Sequence, residues 1–217
     1  MTIRNLDRMF SPRSVALIGA SRRDGSVGAV VARNLLGGGF AGDIFFVNPK
    51  ADRILGAAAF SSVEALPTPP DLAVICTPPD AVPDVIRALG MRGTKAAVVI
   101  TAGFGEGERA IGRARQQAML DAARPHLLRI VGPNCVGILV PGIGLNGSFA
   151  HLAPLDGGVA FLTQSGAILT AVLDWATARR IGFSHVVSLG DMADVDFGDM
   201  LDYLANDPKT RAILLYI

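Results

Sequence analysis

The residues that could do chemistry first meet the eye in a glycine loop. An apolar run over Ser14–Ile18 breaks at Gly19 and passes Ala20, Ser21, Arg22, Arg23 and Asp24 to Gly25. The chain then resumes at Val27 and Gly28 with helical spacing through Val30, Val31, Leu35 and Leu36. A strand, a loop and a helix start in that order leave unpaired backbone amides and the positive end of a helix dipole at the carboxyl edge of a sheet. The expected guest is an anion, most often a phosphate. Glycine suits the place because the backbone must turn sharply and approach its ligand without a Cβ. A dinucleotide fingerprint counted from Gly19 needs glycine at 21 and 24, where Ser21 and Asp24 stand instead. The longer loop can wrap a larger phosphate group; a plain strand-to-helix turn is the competing reading.

Further candidates stand at later strand ends. Asn48, Pro49 and Lys50 occupy the place where an acidic residue takes the ribose hydroxyls in NAD-binding folds. A cation there suits a phosphorylated ribose, as in NADP or the 3′-phosphoadenosine of coenzyme A. Thr77-Pro78-Pro79 forces the chain out of the sheet, because proline cannot continue a ladder; it forms either a rigid shelf on which an adenine could lie or a proline turn that merely starts a helix. Thr101-Ala102-Gly103-Phe104, Gly132-Pro133-Asn134-Cys135 and Thr163-Gln164-Ser165-Gly166 end other apolar runs.

The elements that must position these loops alternate. Short helix 5–10 precedes strands at Ser14–Ile18, Asp43–Val47, Leu72–Cys76, Ala96–Ile100 and Leu127–Val131, with helices between about 81–91 and 108–124. That alternation predicts a parallel, doubly wound Rossmann-like sheet, with loops 19–28, 48–50, 77–79, 102–106 and 132–135 converging on one crevice. Residues 141–158, rich in Gly and Pro, read as a connection. The pattern then restarts with strands over 159–163, 184–188 and 212–217 and helices over 167–179 and 197–205. The expected units are a Rossmann-like domain over 1–145, a linker over 146–157 and a partial α/β domain over 158–217. An apolar strand at the end suggests the amino-terminal part of a longer polypeptide.

Composition narrows the class. Half of the 217 residues are hydrophobic and 18% are charged, which points to sheets buried on both faces. A formal net charge of +1, without a basic cluster beyond Arg22-Arg23 and Arg179-Arg180, argues against a nucleic-acid partner. No leader and no run near the roughly 18 apolar residues of a membrane helix are visible, so a cytoplasmic protein with reduced Cys76 and Cys135 is expected. Asp191, Asp194, Asp196 and Asp199 imitate metal-ligand spacing, but helix starts attract aspartate and no metal is expected. Ser165 lacks the G-x-S-x-G elbow, and nothing in the sequence lowers the Cys135 pKa beyond a nearby turn.

Taken in order, the glycine loop, Val47-Asn48-Pro49-Lys50, Thr101-Ala102-Gly103-Phe104, Gly132-Pro133-Asn134-Cys135, Thr163-Gln164-Ser165-Gly166 and Asp207-Pro208-Lys209-Thr210 resemble the NDP-forming acyl-CoA synthetases, relatives of the succinyl-CoA synthetase α subunit. That resemblance covers nearly the whole chain and implies that the unit over 1–145 is CoA-binding and that over 158–217 flavodoxin-like. It implies that Gly19, Ala20, Ser21, Arg22, Gly25, Val27 and Gly28 hold CoA phosphates and that Lys50, beside Asn48 and Pro49, meets the phosphoadenosine. Thr77 and Pro78 would line the adenine or ribose, and Ala102 and Gly103 the pantetheine arm. Pro133, Asn134 and Cys135 would stand near the thiol. The helix opened by Thr163, Gln164, Ser165 and Gly166 would receive a phosphohistidine, its two hydroxyls and free amides favouring a phosphoryl group. His126, His151 and His185 fit that histidine badly, so it is expected outside this chain. ATP or another NTP with Mg would bind an ATP-grasp domain or β subunit, a small carboxylic acid would be the co-substrate, and a homo-oligomer stays open. Gly190-Asp191, with Phe183-Ser184-His185 and Asp194-Val195-Asp196-Phe197, also resembles the subset fused to a GNAT-type acetyltransferase, in which this region senses acyl-CoA. An NADP-dependent oxidoreductase is a third reading.

Overall fold

A computed structural model describes residues 2–105 and 109–217. Glu106 of the predicted crevice and the expected helix start at Glu108 lie outside the described residues. The first half runs α1 (Leu6–Phe10), β1 (Ser14–Ile18), α2 (Val27–Gly37), β2 (Asp43–Val47), β3 (Arg53–Ile54), β4 (Ala57–Phe60), β5 (Leu72–Ile75), α3 (Val82–Arg92), β6 (Ala96–Val99), α4 (Arg109–Ala123) and β7 (Arg129–Val131). These strands form one sheet in the order β3-β4-β2-β1-β5-β6-β7. All pair in parallel except β3, which turns back on β4. Leaving β3 aside, the order is that of a dinucleotide-binding fold, with β1 at the centre and the strand order reversing beside it. β1 and β5 are buried along their whole length, which explains their unbroken apolar runs.

Two features of this half depart from the sequence reading. β3 and β4 were not expected; Ala57-Ala58-Ala59 is weakly β-forming, and the strand exists because Ala59 and Phe60 pair with Phe46 and Val47 of β2. Leu127 does not open the fifth strand of the reading: it turns through a left-handed φ of 55°, and β7 starts at Arg129.

The second half adds β8 (Gly137–Val140), β9 (Leu145–Ser148), β10 (Asp156–Thr163), α5 (Gly166–Ala178), β11 (Phe183–Ser188), α6 (Phe197–Leu204) and β12 (Ala212–Tyr216). Their sheet has the order β12-β10-β11-β8-β9. β10, β11 and β12 are parallel, and the β8–β9 hairpin joins antiparallel to β11. This hairpin occupies residues read as the end of the first unit and the start of a connection. Its glycines hide the strand signal, yet they serve close packing. At Gly137, φ is 118° and a Cβ would lie 2.3 Å from the Gly147 carbonyl oxygen of the partner strand.

Three apolar cores order the layers. Ala16 and Ile18 of β1 pack under α3 and α4 with Ile86, Leu89 and Met119. Val15 and Leu17, on the opposite face, share a core with Leu35 of α2, Ile138, Leu145 and Leu162 of the second sheet, and Met200 of α6. The outer face of the second sheet carries α5 through Phe161, Leu169, Leu173 and Val186. Helices between two sheets therefore join both halves through one hydrophobic layer. A buried ion cluster adds a polar tie: Arg129 Nε meets Asp194 at 3.0 Å and Nη2 meets Asp199 at 2.7 Å, while Nη1 donates to the Thr2 carbonyl. The aspartates with metal-like spacing are thus engaged otherwise. Asp194 and Asp199 hold Arg129, Asp196 caps α6 at the Asp199 amide, and Asp191 accepts from Asn134. Among the described residues, no helix is long and apolar enough to cross a membrane.

Candidate functional site

The glycine loop is built by close backbone contact. Gly19 has φ 89°, and a Cβ there would lie 2.8 Å from the Cys76 carbonyl carbon. On Gly28 a Cβ would fall 2.1 Å from the Gly19 carbonyl oxygen. Gly28 therefore lets the first turn of α2 sit on the end of β1, and this packing, rather than ligand approach alone, demands glycine. Gly25, at φ 74° with open space around it, makes the turn. Ala20 is buried, Ser21 half-buried and Arg22 exposed on the loop's outer side. Ser26 starts α2 without a side-chain cap; its hydroxyl donates to Arg23 O at 2.6 Å. The Val27 and Gly28 amides are thereby left to a ligand or to water, while the Ala29 amide donates to Ser26 O at 3.0 Å.

Asn48 braces rather than reaches outward. Its Nδ2 donates to the Ala20 carbonyl at 2.6 Å, and its Oδ1 accepts from the Lys50 amide at 2.7 Å. The end of β2 is tied to the glycine loop, and exposed Lys50 is set in a tight Asx turn.

The loops line adjoining depressions: Thr77 is common to the first two, and Pro49 to the first and third. A depression of about 310 Å³ lies among Gly19, Val47, Pro49, Val63, Thr77 and Val85. A larger cleft of about 600 Å³ takes Thr77, Pro78, Ala102, Asn134 and Cys135 from the first half, and Gln164 and Gly166 from the second, with Val27 at the start of α2. Asn48, Pro49 and Lys50 border a third, shallow one beside Phe60. Thr77 belongs to both of the first two, and its buried Oγ1 has no hydrogen-bond partner among the described residues. Pro78 faces only the larger cleft. Gly103 stands just outside it, its carbonyl accepting from Arg115 at 3.2 Å. Thr101, of the motif Thr101-Ala102-Gly103-Phe104, also lines the cleft, as do Cys76, Ile100, Val136 and Phe149, to which the sequence assigned no site role.

The far end of that cleft is made by the turn into α5 and by the loop after β7. Pro133 follows a cis peptide bond, and Asn134 holds a left-handed φ of 56°, its amide donating to Thr101 O at 3.0 Å. Cys135 is buried with Sγ 3.3 Å from Val99 O, and burial pushes its thiol, like that of Cys76, up to about 12. A thiol so protonated is no nucleophile. Of the two hydroxyls expected to greet a phosphoryl group, Thr163 Oγ1 serves the turn, accepting from the Ser165 amide at 2.9 Å and donating to the Ser165 carbonyl at 3.2 Å, whereas Ser165 Oγ accepts from the Ile168 amide at 3.4 Å and keeps its O–H to donate. What α5 offers the cleft is the Gly166 and Ala167 amides, the helix dipole and the exposed Gln164.

The match to known proteins follows the same division. A family model described as a CoA binding domain matches residues 13–141. The chain belongs to this CoA-binding family. Behind it, a succinyl-CoA ligase-like flavodoxin domain matches 156–217. The ADP-forming acetate–CoA ligase of Methanocaldococcus jannaschii is 44% identical over 207 residues, covering 95% of this chain and 29% of that protein. The α subunit of ADP-forming acetate–CoA ligase I of Pyrococcus furiosus is 38% identical, covering 98% of this chain and 47% of the subunit. An acetyl-coenzyme A synthetase of Ca. Korarchaeum cryptofilum, described as dinucleotide forming and in complex with phosphate and ADP, superposes with a TM-score of 0.92. It is 38% identical and covers 98% of this chain and 45% of its own. The chain thus spans less than half the length of these relatives. The resemblance to NDP-forming acyl-CoA synthetases holds, and the relatives are ligases; the acetyltransferase-fused reading is not favoured by them.

Proposed function

We propose that this chain is the coenzyme A-holding part of an NDP-forming acyl-CoA synthetase, which joins a small carboxylic acid to CoA at the expense of an NTP. The observation that carries the reading is the meeting of two cavities at Thr77, where a buried hydroxyl lacks a partner. The aliphatic slot between Val47, Val63 and Val85 suits an adenine, and the mixed cleft beyond Thr77 suits a pantetheine arm. An extended thiol carrier with an adenine at one end needs two such spaces in series. The α2 start would hold its phosphates, with Gly19, Ala20, Ser21, Arg22, Gly25, Val27 and Gly28 around it. Lys50 would face the 3′-phosphate. Ala102, Gly103, Pro133 and Asn134 would position the thiol end, with buried Cys135 as packing.

In this reading the start of α5 stabilises a phosphoryl group by backbone amides and dipole, without covalent chemistry of its own. The histidines here support an external phosphocarrier. His126 packs on Gly90, His151 pairs with Asp174 at 2.8 Å, and His185 is buried in β11. The ATP-grasp partner, its Mg and nucleotide, any homo-oligomer, and a cytoplasmic location belong to the same proposal. So does the division into 1–145, 146–157 and 158–217, with the 137–148 hairpin as the first unit's contribution to the second sheet.

Calorimetric titration with CoA, dephospho-CoA and NADP tests the reading. CoA is expected to bind, removal of the 3′-phosphate to weaken it roughly fivefold to tenfold, and Lys50→Ala to erase most of that difference. Equal affinity for CoA and dephospho-CoA refutes the role of Lys50; tighter binding of NADP refutes the carrier itself.

A further inference from the structure

One aromatic side chain in the cleft is held where no core claims it. Among its large apolar residues, Ile100 and Val136 are buried, whereas Val27, at the start of α2, is 40% exposed and Phe149, its one aromatic among the described residues, 36%. Its neighbours Ser148 and Ala150 are 0% and 2% exposed, so the ring projects from an otherwise buried stretch. The backbone there is pinned. Asn34 Nδ2 of α2 donates to the carbonyls of Ser148 and Ala150 at 2.8 and 2.9 Å, and the Phe149 amide donates to Val136 O at 3.1 Å. Apolar surface left in water is unfavourable, and an anchored backbone gives this ring no route to collapse into a core.

Position along the cleft says what the ring faces. Thr77 is shared with the adenine-side depression, while Phe149, Gln164 and Gly166 come from the second half of the chain, with Val136 at the junction. A carrier with its adenine in the depression beyond Thr77 would run its arm and thiol along this cleft, in which the ring and Val136 are apolar walls.

We propose that Phe149 is a specificity-determining residue, the wall that an acyl group on the CoA thiol packs against and that sets the longest chain accepted. The inference rests on the reading of the cleft as a CoA site. In a closed apolar pocket, one methylene more or less changes affinity by about tenfold or more, so a ring removed at that wall must alter a chain-length series.

The experiment is calorimetric titration of the protein and of Phe149→Ala and Phe149→Leu with CoA and with acetyl-, butyryl- and hexanoyl-CoA. Each acyl-CoA affinity is divided by the CoA affinity of the same variant. In the unmodified protein this ratio is expected to fall as the chain lengthens. In Phe149→Ala the hexanoyl-to-acetyl ratio should rise about tenfold, with Phe149→Leu in between; thermal melting confirms that both variants fold. An unchanged series in variants that still bind CoA overturns the role of Phe149 alone. Failure of the unmodified protein to bind any CoA species overturns the underlying cleft reading and this inference with it.

Discussion

Replacing Gly28 with alanine should destabilise the protein, although alanine is the better helix former. Gly28 lies in the first turn of α2, where exchanging glycine for alanine gains at most about 1 kcal/mol of helix propensity. Against that, the new Cβ would lie 2.1 Å from the Gly19 carbonyl oxygen and 3.2 Å from its carbon. Gly19 cannot yield, because its amide is bonded to Val47 O at 3.0 Å and its own α-carbon abuts Cys76. Overpacking against backbone costs about 3 kcal/mol at the upper end of the usual range, so the net loss is about 2 kcal/mol. For a chain of this size that lowers Tm by about 4–8 °C. Gly37, in the last turn of the same helix, has nothing within 4 Å of an added Cβ. There the same substitution should be neutral or gain up to about 1 kcal/mol. Urea unfolding with unchanged m-values separates the two. CoA affinity should fall for Gly28→Ala, since the turn that offers its amides must move. A Gly28→Ala protein as stable as Gly37→Ala would refute the packing argument.

Other perturbations probe the core, the cleft and the acid limb of stability. Arg129→Met leaves buried Asp199 without its cation and should cost about 3–5 kcal/mol by urea unfolding, whereas a cost under 1 kcal/mol would show the cluster to be dispensable. Thr77→Val removes a buried hydroxyl that has no partner. Stability should hold or rise by about 1 kcal/mol while CoA binding weakens severalfold; unchanged CoA affinity would deny the hydroxyl a ligand role. His185 is held below its ordinary pKa chiefly by burial, with Asp207 opposing and Lys209 reinforcing. The unfolded chain therefore takes up the proton first, so this contribution is intact above about pH 6.5 and declines as pH falls toward the lowered folded value. His185→Gln should flatten the stability–pH slope there by up to about 1.4 kcal/mol per pH unit, and an unaltered slope would exclude His185 as its source.

The middle of the first sheet was legible because β1, β5 and β6 are buried on both faces. Ser14–Ile18 and Leu72–Ile75 read as apolar runs without help from any partner, and Gly19 and Gly28 mark the loop between them whatever surrounds it. The β8–β9 hairpin was not, since its glycines look like a linker until the close approach of Gly137 to Gly147 is seen. Nor could spacing tell that the Thr163 hydroxyl serves the turn itself, or that Asn48 braces Ala20.

Sequence alone determined the alternation of elements, the strand-end loops and the family, because apolar periodicity and glycine placement are local properties of the chain. Tertiary structure decided which loops share a cavity, that Thr77 lines two such cavities, and that Phe149 lines the larger of those two. Those facts depend on the two sheets closing over α2, a contact between residues more than a hundred positions apart that leaves no local mark.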